Sequence, residues 1–220
     1  MTSKDAEATN RAERERAAEK SASVSPLHAV EVSDSGIQIK RAEAAVSELL
    51  AALGRDVSDP NLQETPRRVV ASFVEQLTPR EFSMTTFAND EGYDELVLVR
   101  DIPFHSLCEH HLLPFRGVAH VGYLPGDRIV GISKLARTVE LFSRDLQVQE
   151  RLTKQIADYL EDKLQPRGVG VVLEAEHMCM TLRGAQAAGS ITTTSTFKGA
   201  LTKDSALRRR FLPALGDLTA

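Results

Sequence analysis

The chain has 220 residues, with 27 Lys+Arg against 31 Asp+Glu and a formal net charge of -4. That balance argues against a nucleic-acid backbone as partner, because non-specific phosphate binding needs a surplus of cations. With 42% hydrophobic and 26% charged residues the chain can bury a core without disulfide staples, and its longest aliphatic run, Leu96–Val99, is far too short to span a bilayer. Neither nucleic acid nor membrane is expected as a partner. The N-terminus has no apolar stretch resembling a signal peptide, so a cytoplasmic location is expected.

In chain order, residues 1–36 are dominated by Ala, Glu, Arg and Ser without an aliphatic face. They offer too little apolar surface to offset the ordering entropy, which predicts a disordered tail ahead of one domain over 37–220. Val46, Leu49, Leu50 and Leu53 follow helical spacing and Gly54 stands at a C-cap position, predicting an amphipathic helix over 39–53. Thr65-Pro66 reads as the N-cap and first-turn proline of a second helix, with Val70, Phe73, Val74 and Leu77 on one face. Arg67 and Arg68 then fall in a first turn whose positive partial charge disfavours cations unless an anion or an acidic neighbour is close.

From about residue 94 the period becomes two. A strand is predicted over Glu95–Arg100, and a hairpin joining Gly117–Tyr123 to Arg128–Ile132 across Pro125-Gly126-Asp127. Two helices follow, Ser133 to about Arg144 capped by Ser133, and about Val148 to Leu164, the second burying Leu152, Ile156, Leu160 and Leu164. Strands are predicted over Val169–Met180 and Ser190–Phe197. This order gives an α+β domain: a helical part to about residue 80, then an antiparallel sheet with helices on one face.

Both cysteines lie within three residues of a histidine, in Cys108-Glu109-His110-His111 and His177-Met178-Cys179. In a reducing compartment such a pair favours metal or chemistry over a disulfide. Cys108 and a histidine of its turn can converge on one ion with Cys179 as third ligand, leaving one tetrahedral position open, as in a catalytic zinc site. If Val169–Met180 stays extended, His177 and Cys179 share a face, and His177 is either a fourth ligand or a proton-transfer residue. The spacing does not choose between His110 and His111. A closed Cys2His2 zinc tying a loop to a strand is the plainer alternative, whereas the His-x-Glu and Pro-Cys-x-x-Cys signature of a zinc deaminase is absent. Lys134 and Arg137 lie on one helical face and Arg183 follows Cys179 by four residues, which suggests a phosphate-bearing substrate held by side chains, since no Walker loop is present. Glu150 opens the long helix; a carboxylate there compensates the dipole or, facing a pocket, takes the N–H donors of a guanine edge.

Four motifs in register, Cys108-Glu-His-His-Leu-Leu-Pro-Phe115, Gly131-Ile-Ser-Lys-Leu-Ala-Arg137, Leu146-Gln-Val-Gln-Glu-Arg-Leu-Thr153 and Glu174-Ala-Glu-His-Met-Cys-Met180 followed by Arg183-Gly184, closely resemble the GTP cyclohydrolase I family over about residues 40–215. The resemblance implies conversion of GTP and water to formate and 7,8-dihydroneopterin triphosphate, the first step toward tetrahydrofolate or another pterin. It implies one zinc per subunit on Cys108, His111 and Cys179, with His110 and His177 as the acid/base pair. Ser133 is implied as a further proton carrier in the rearrangement. Glu150 with Gln149 is implied as the guanine anchor, and Lys134, Arg137, Arg183 and Arg68 as the triphosphate clamp. It also implies the tunnelling fold (T-fold) and a homodecamer, a toroid of two pentamers with sites at subunit interfaces.

Overall fold

The computed structural model describes residues 36–211, so most of the expected tail and the last stretch of the domain lie outside the described residues. The chain divides after Gln38, and the larger unit runs from Ile39 onward. Helix α1 (Ile39–Ala52) ends as its spacing predicts, with Gly54 at φ 75°. It packs on α2 (Thr65–Leu77) but buries none of its residues fully, and Leu49 and Leu53 remain 57% and 65% exposed. The N-cap of α2 is Glu64 and not Thr65. Glu64 Oε2 lies 2.6 Å from Arg67 Nε, so the acidic neighbour that offsets a first-turn cation is the cap residue itself.

The core is a five-stranded sheet of order β5-β2-β3-β6-β7, formed by β2 (Val97–Cys108), β3 (Pro114–Leu124), β5 (Leu146–Gln147), β6 (Gly168–His177) and β7 (Thr192–Gly199). Its pairs are antiparallel except the short β5, which runs parallel to the end of β2. Helices α3 (Ile132–Ser143) and α4 (Gln149–Leu164) cover one face. There Val169, Val171 and Leu173 of β6 and Phe115, Ala119 and Val121 of β3 meet the helical stripe of Leu135, Leu152, Ile156 and Leu160, all 0% exposed. Full burial of each large aliphatic side chain contributes at most about 1.5 to 3 kcal/mol.

The expected Glu95–Arg100 strand runs on to Cys108 through a bulge. The register shifts between Val99 and Ile102, and Asp101 adopts φ 57°. Val97 and Val99 face the core before the bulge, Ile102 and Phe104 after it, so the inward residues change from odd to even numbers. Alternation read from sequence breaks there, although the strand does not. The Asp101 amide donates to Nδ1 of the buried His120 at 3.2 Å, and His120 Nε2 meets Glu174 Oε2 at 3.3 Å.

The predicted hairpin between Gly117–Tyr123 and Arg128–Ile132 is not formed. The chain turns at Pro125-Gly126-Asp127, but β4 (Arg128–Val130) pairs with β1 (Thr86–Ala88) in a separate two-stranded ribbon, and the true hairpin is β2–β3. Two further expectations are corrected. Gly131, not Ser133, is the N-cap of α3, so Ser133 lies exposed in its first turn. Strand β6 stops at His177, and Cys179 belongs to the single helical turn α5 (Met178–Thr181), so the two do not share a strand face. Nor are all helices on one face. After α6 (Ala200–Lys203), α7 (Ser205–Phe211) seats Phe211 against the opposite face, where a Cβ on Gly122 or Gly170 would come within 2.9 or 2.8 Å of its ring.

Candidate active site

The hairpin turn after β2 builds the first half of the site. Cys108 N–H donates to Leu113 O at 2.9 Å and Leu112 N–H to Cys108 O at 2.8 Å, with Leu112 at φ 53°, which folds the turn back over Cys108. His111 Nδ1 thereby lies 3.7 Å from Cys108 Sγ. The turn is clamped from outside by Arg151, whose Nη2 meets Glu109 Oε2 at 2.6 Å and donates to Leu146 O at 2.7 Å. The hydrogen bond from Arg151 holds the Glu109 carboxyl below its ordinary pKa. The second half comes from the end of β6, where α5 turns Cys179 toward the hairpin. Donor atoms of Cys108, His111 and Cys179 all lie within 4.8 Å of one another.

These residues fit a zinc-type ion. Tetrahedral ligation at about 2.3 Å to sulfur and about 2.0 Å to nitrogen separates the donors by about 3.5 to 3.8 Å, a range that holds the Cys108–His111 distance of 3.7 Å. Burial pushes the Cys179 thiol up, facing Cys108 adds to the effect, and Arg183 opposes it. Two thiols turned toward each other in this way favour a cation that takes both as thiolates. His110 is not one of the three converging donors, although its Nδ1 lies 3.9 Å from Cys108 Sγ; its side chain is 63% exposed and its Nε2 is 3.7 Å from Glu109 Oε1.

His177 closes β6 in register with Phe115, and the two rings stack at 4.6 Å and 3°. Burial holds its pKa below the ordinary histidine value, while Glu150 acts in the opposite direction. Glu150 is exposed beside it. Gln149 is not: it is 1% exposed and its amide is engaged by Leu173 O, Thr192 O, Thr194 and His177, which leaves it nothing to offer a guanine edge. Arg68 lies at the same end of the sheet, lining a cavity of about 400 Å³ with Leu107, Leu112 and Pro114.

Ser133, Lys134 and Arg137 do not join this group. Their helix starts beside the opposite end of β3, where Val130 N–H donates to Tyr123 Oη at 3.1 Å and Gly131 N–H to Thr85 O at 3.0 Å. Lys134 Nζ sits 5.8 Å over the Phe82 ring, and Ser133 and Arg137 are exposed. From Phe115, paired with His177, to Tyr123, paired with Val169, β3 advances about 26 Å at about 3.3 Å per residue. Phe115, Arg151 and Thr194 are given no role by sequence reasoning. The first two lie inside the family-like motifs, while Thr194 has only a Thr/Ser-rich strand to mark it.

Two thiols and an imidazole placed to hold one ion, with a second histidine beside them, are the donor set of a hydrolytic enzyme with a candidate metal site on an α+β scaffold. The family model of GTP cyclohydrolase I matches residues 42–216. A protein of Aquifex aeolicus named GTP cyclohydrolase 1 is 49% identical over 176 residues, covering 80% of this chain and 96% of its own. One of that name from Mycobacterium tuberculosis is 53% identical over 180 residues, covering 79% and 88%. Among solved structures, an apo archaeosine synthase QueF-Like aligns over 48% of this chain and 95% of its own with 15% identity and a TM-score of 0.41. The chain belongs to the GTP cyclohydrolase I family.

Proposed function

We propose that Cys108, His111 and Cys179 hold one zinc per subunit and that the site around them converts GTP and water to formate and 7,8-dihydroneopterin triphosphate, the first step of pterin or folate formation. The convergence of those three donors at the end of β2 and β6 is the observation that carries the reading. When bound, the metal would supply a Lewis acid that lowers the pKa of a water to about 7. The chain's own groups do the rest. His177 gives a proton to the imidazole nitrogen of the purine as that ring opens, and His110, exposed at the turn, serves the hydrolytic release of formate. Glu150 accepts from the N–H and amino donors of the guanine edge, and Arg183 and Arg68 bind phosphate oxygens. Ser133, Lys134 and Arg137 complete the phosphate clamp and the proton relay of the ribose rearrangement from a second copy of the chain.

The advance of about 26 Å along β3, from the pair with His177 to the end near which α3 begins with Ser133 and Lys134, supports that division. The exposed Ile39 and Leu49 of α1, Leu53 just beyond it, and β7 at an edge of the sheet among the described residues favour self-association as well. They fit the toroidal decamer of the T-fold family. No helix among the described residues is long and apolar enough to cross a membrane. A cytoplasmic setting suits two thiols kept reduced for metal. Incubating the zinc-loaded protein with GTP, with and without a chelator, tests the reading. Formate and an oxidisable fluorescent pterin are expected in equal amounts and only with metal; unchanged GTP would overturn it.

A further inference from the structure

Behind His177 lies a run of buried polar groups that metal binding and proton transfer leave unused. Gln149 Nε2 donates to Leu173 O at 3.0 Å and Thr192 O at 2.9 Å, with Thr194 Oγ1 at 3.1 Å. Carbonyl oxygens only accept, so the atom between them is the amide nitrogen, and the amide oxygen is the one turned to His177. Thr153, 0% exposed, donates to the Gln149 main-chain O at 2.7 Å and stands 2.6 Å from Thr194 Oγ1. Its one proton is thus committed, so the Thr194 hydroxyl donates to Thr153 and leaves its oxygen toward Gln149 Nε2, whose two protons are shared among three acceptors. Each direction in the run is therefore set by a main-chain carbonyl.

The last link is His177 Nε2, 2.7 Å from Gln149 Oε1. An amide oxygen accepts only, so the ring proton sits on Nε2, and in the neutral ring the lone pair is on Nδ1. Among the described residues Nδ1 has no hydrogen-bond partner. The Phe115 stack fixes the plane of the same ring.

We propose that Gln149 is a positioning residue, held by Leu173 O, Thr192 O and the Thr194–Thr153 pair, which keeps His177 in its Nε2–H tautomer so that proton exchange with the substrate runs through Nδ1. An imidazolium that gives its Nδ1 proton to a purine nitrogen is left as the neutral form Gln149 already binds, and a solvent proton restores it. No ring flip is needed. The catalytic half of this rests on His177 as the proton donor of the proposed function; the fixed tautomer does not.

The test labels the histidines with nitrogen-15 in the zinc-loaded protein and assigns His177 by difference from His177→Ala. The wild type is expected to show protonated Nε2 and unprotonated Nδ1 in the neutral ring. Gln149→Met, which keeps length but not the amide, and Thr194→Val, which removes one hydroxyl, should both yield mixed tautomers with zinc content intact. Their kcat should fall on the order of 10- to 100-fold while KM for GTP stays within about twofold, with Thr194→Ser restoring most of the loss. A wild-type proton on Nδ1, or an unaltered tautomer in both variants, would overturn the proposal. Mixed tautomers with unchanged kcat would leave the lock standing and remove His177 from proton transfer.

Discussion

At the end of the sheet that carries Cys108 and His177, the polar side chains are bound from behind: Glu109 by Arg151, Gln149 by two main-chain carbonyls, His177 by Gln149 and Phe115. At the other end Ser133 and Arg137 stand exposed, and Lys134 has the face of Phe82 beneath it. The difference suits the roles proposed for the two groups. Metal binding and the proton transfer proposed for His177 tolerate errors of about half an ångström, which a frame built within one chain supplies. A phosphate can be gathered by long cationic side chains after two surfaces meet.

Removing the metal should break the organised end most completely. Cys179→Ala, or exhaustive chelation of the unaltered protein, is expected to bring turnover to the detection limit, with zinc content measured alongside; residual activity without metal would refute the ligand set. His177→Ala should keep its zinc yet lose about 10² to 10⁴ in kcat. The other end answers differently: Lys134→Ala should raise KM for GTP roughly tenfold or more, the value of one charge-assisted hydrogen bond of about 1.5 to 3 kcal/mol. Co-assembling Lys134→Ala with His177→Ala chains should then recover part of the activity, because some sites receive both intact halves. A mixture as inactive as its components would show that the two ends do not meet. The smallest effect is structural. Tyr123→Phe leaves the buried Val130 N–H without its partner, and should cost about 1 to 3 kcal/mol in thermal unfolding with kcat nearly unchanged.

The candidate metal cluster was legible in outline because both cysteines lie within three positions of a histidine, while the spacing left His110 and His111 open and only the family resemblance pointed to His111. The helices α1, α2 and α4 were readable because a 3.6-residue stripe survives whatever packs on it. Strand β2 was cut short because a bulge reverses its alternation at Asp101, a change that local pattern cannot tell from a strand end. Pro125-Gly126-Asp127 announces a turn truly but says nothing of the partner, and β4 joins β1 instead of β3. The apolar Met178 and Met180 extended the predicted β6 past its end at His177. Gln149 beside Glu150 looked like a second substrate contact, and only the placement of β6 and β7 behind it shows where its amide goes.

The bulge at Asp101 also makes β2 a strand with two phases. Residues before it and after it address the same core with opposite parity, so the strand works as a spliced ruler whose offset is one residue. Deleting a single position there would not merely shorten the strand. It would set the two halves one step out of phase, turning either Val97 and Val99 or Ile102, Phe104 and Cys108 outward. The position of the Cys108 thiol is thus decided seven residues upstream, at a place with no chemistry of its own.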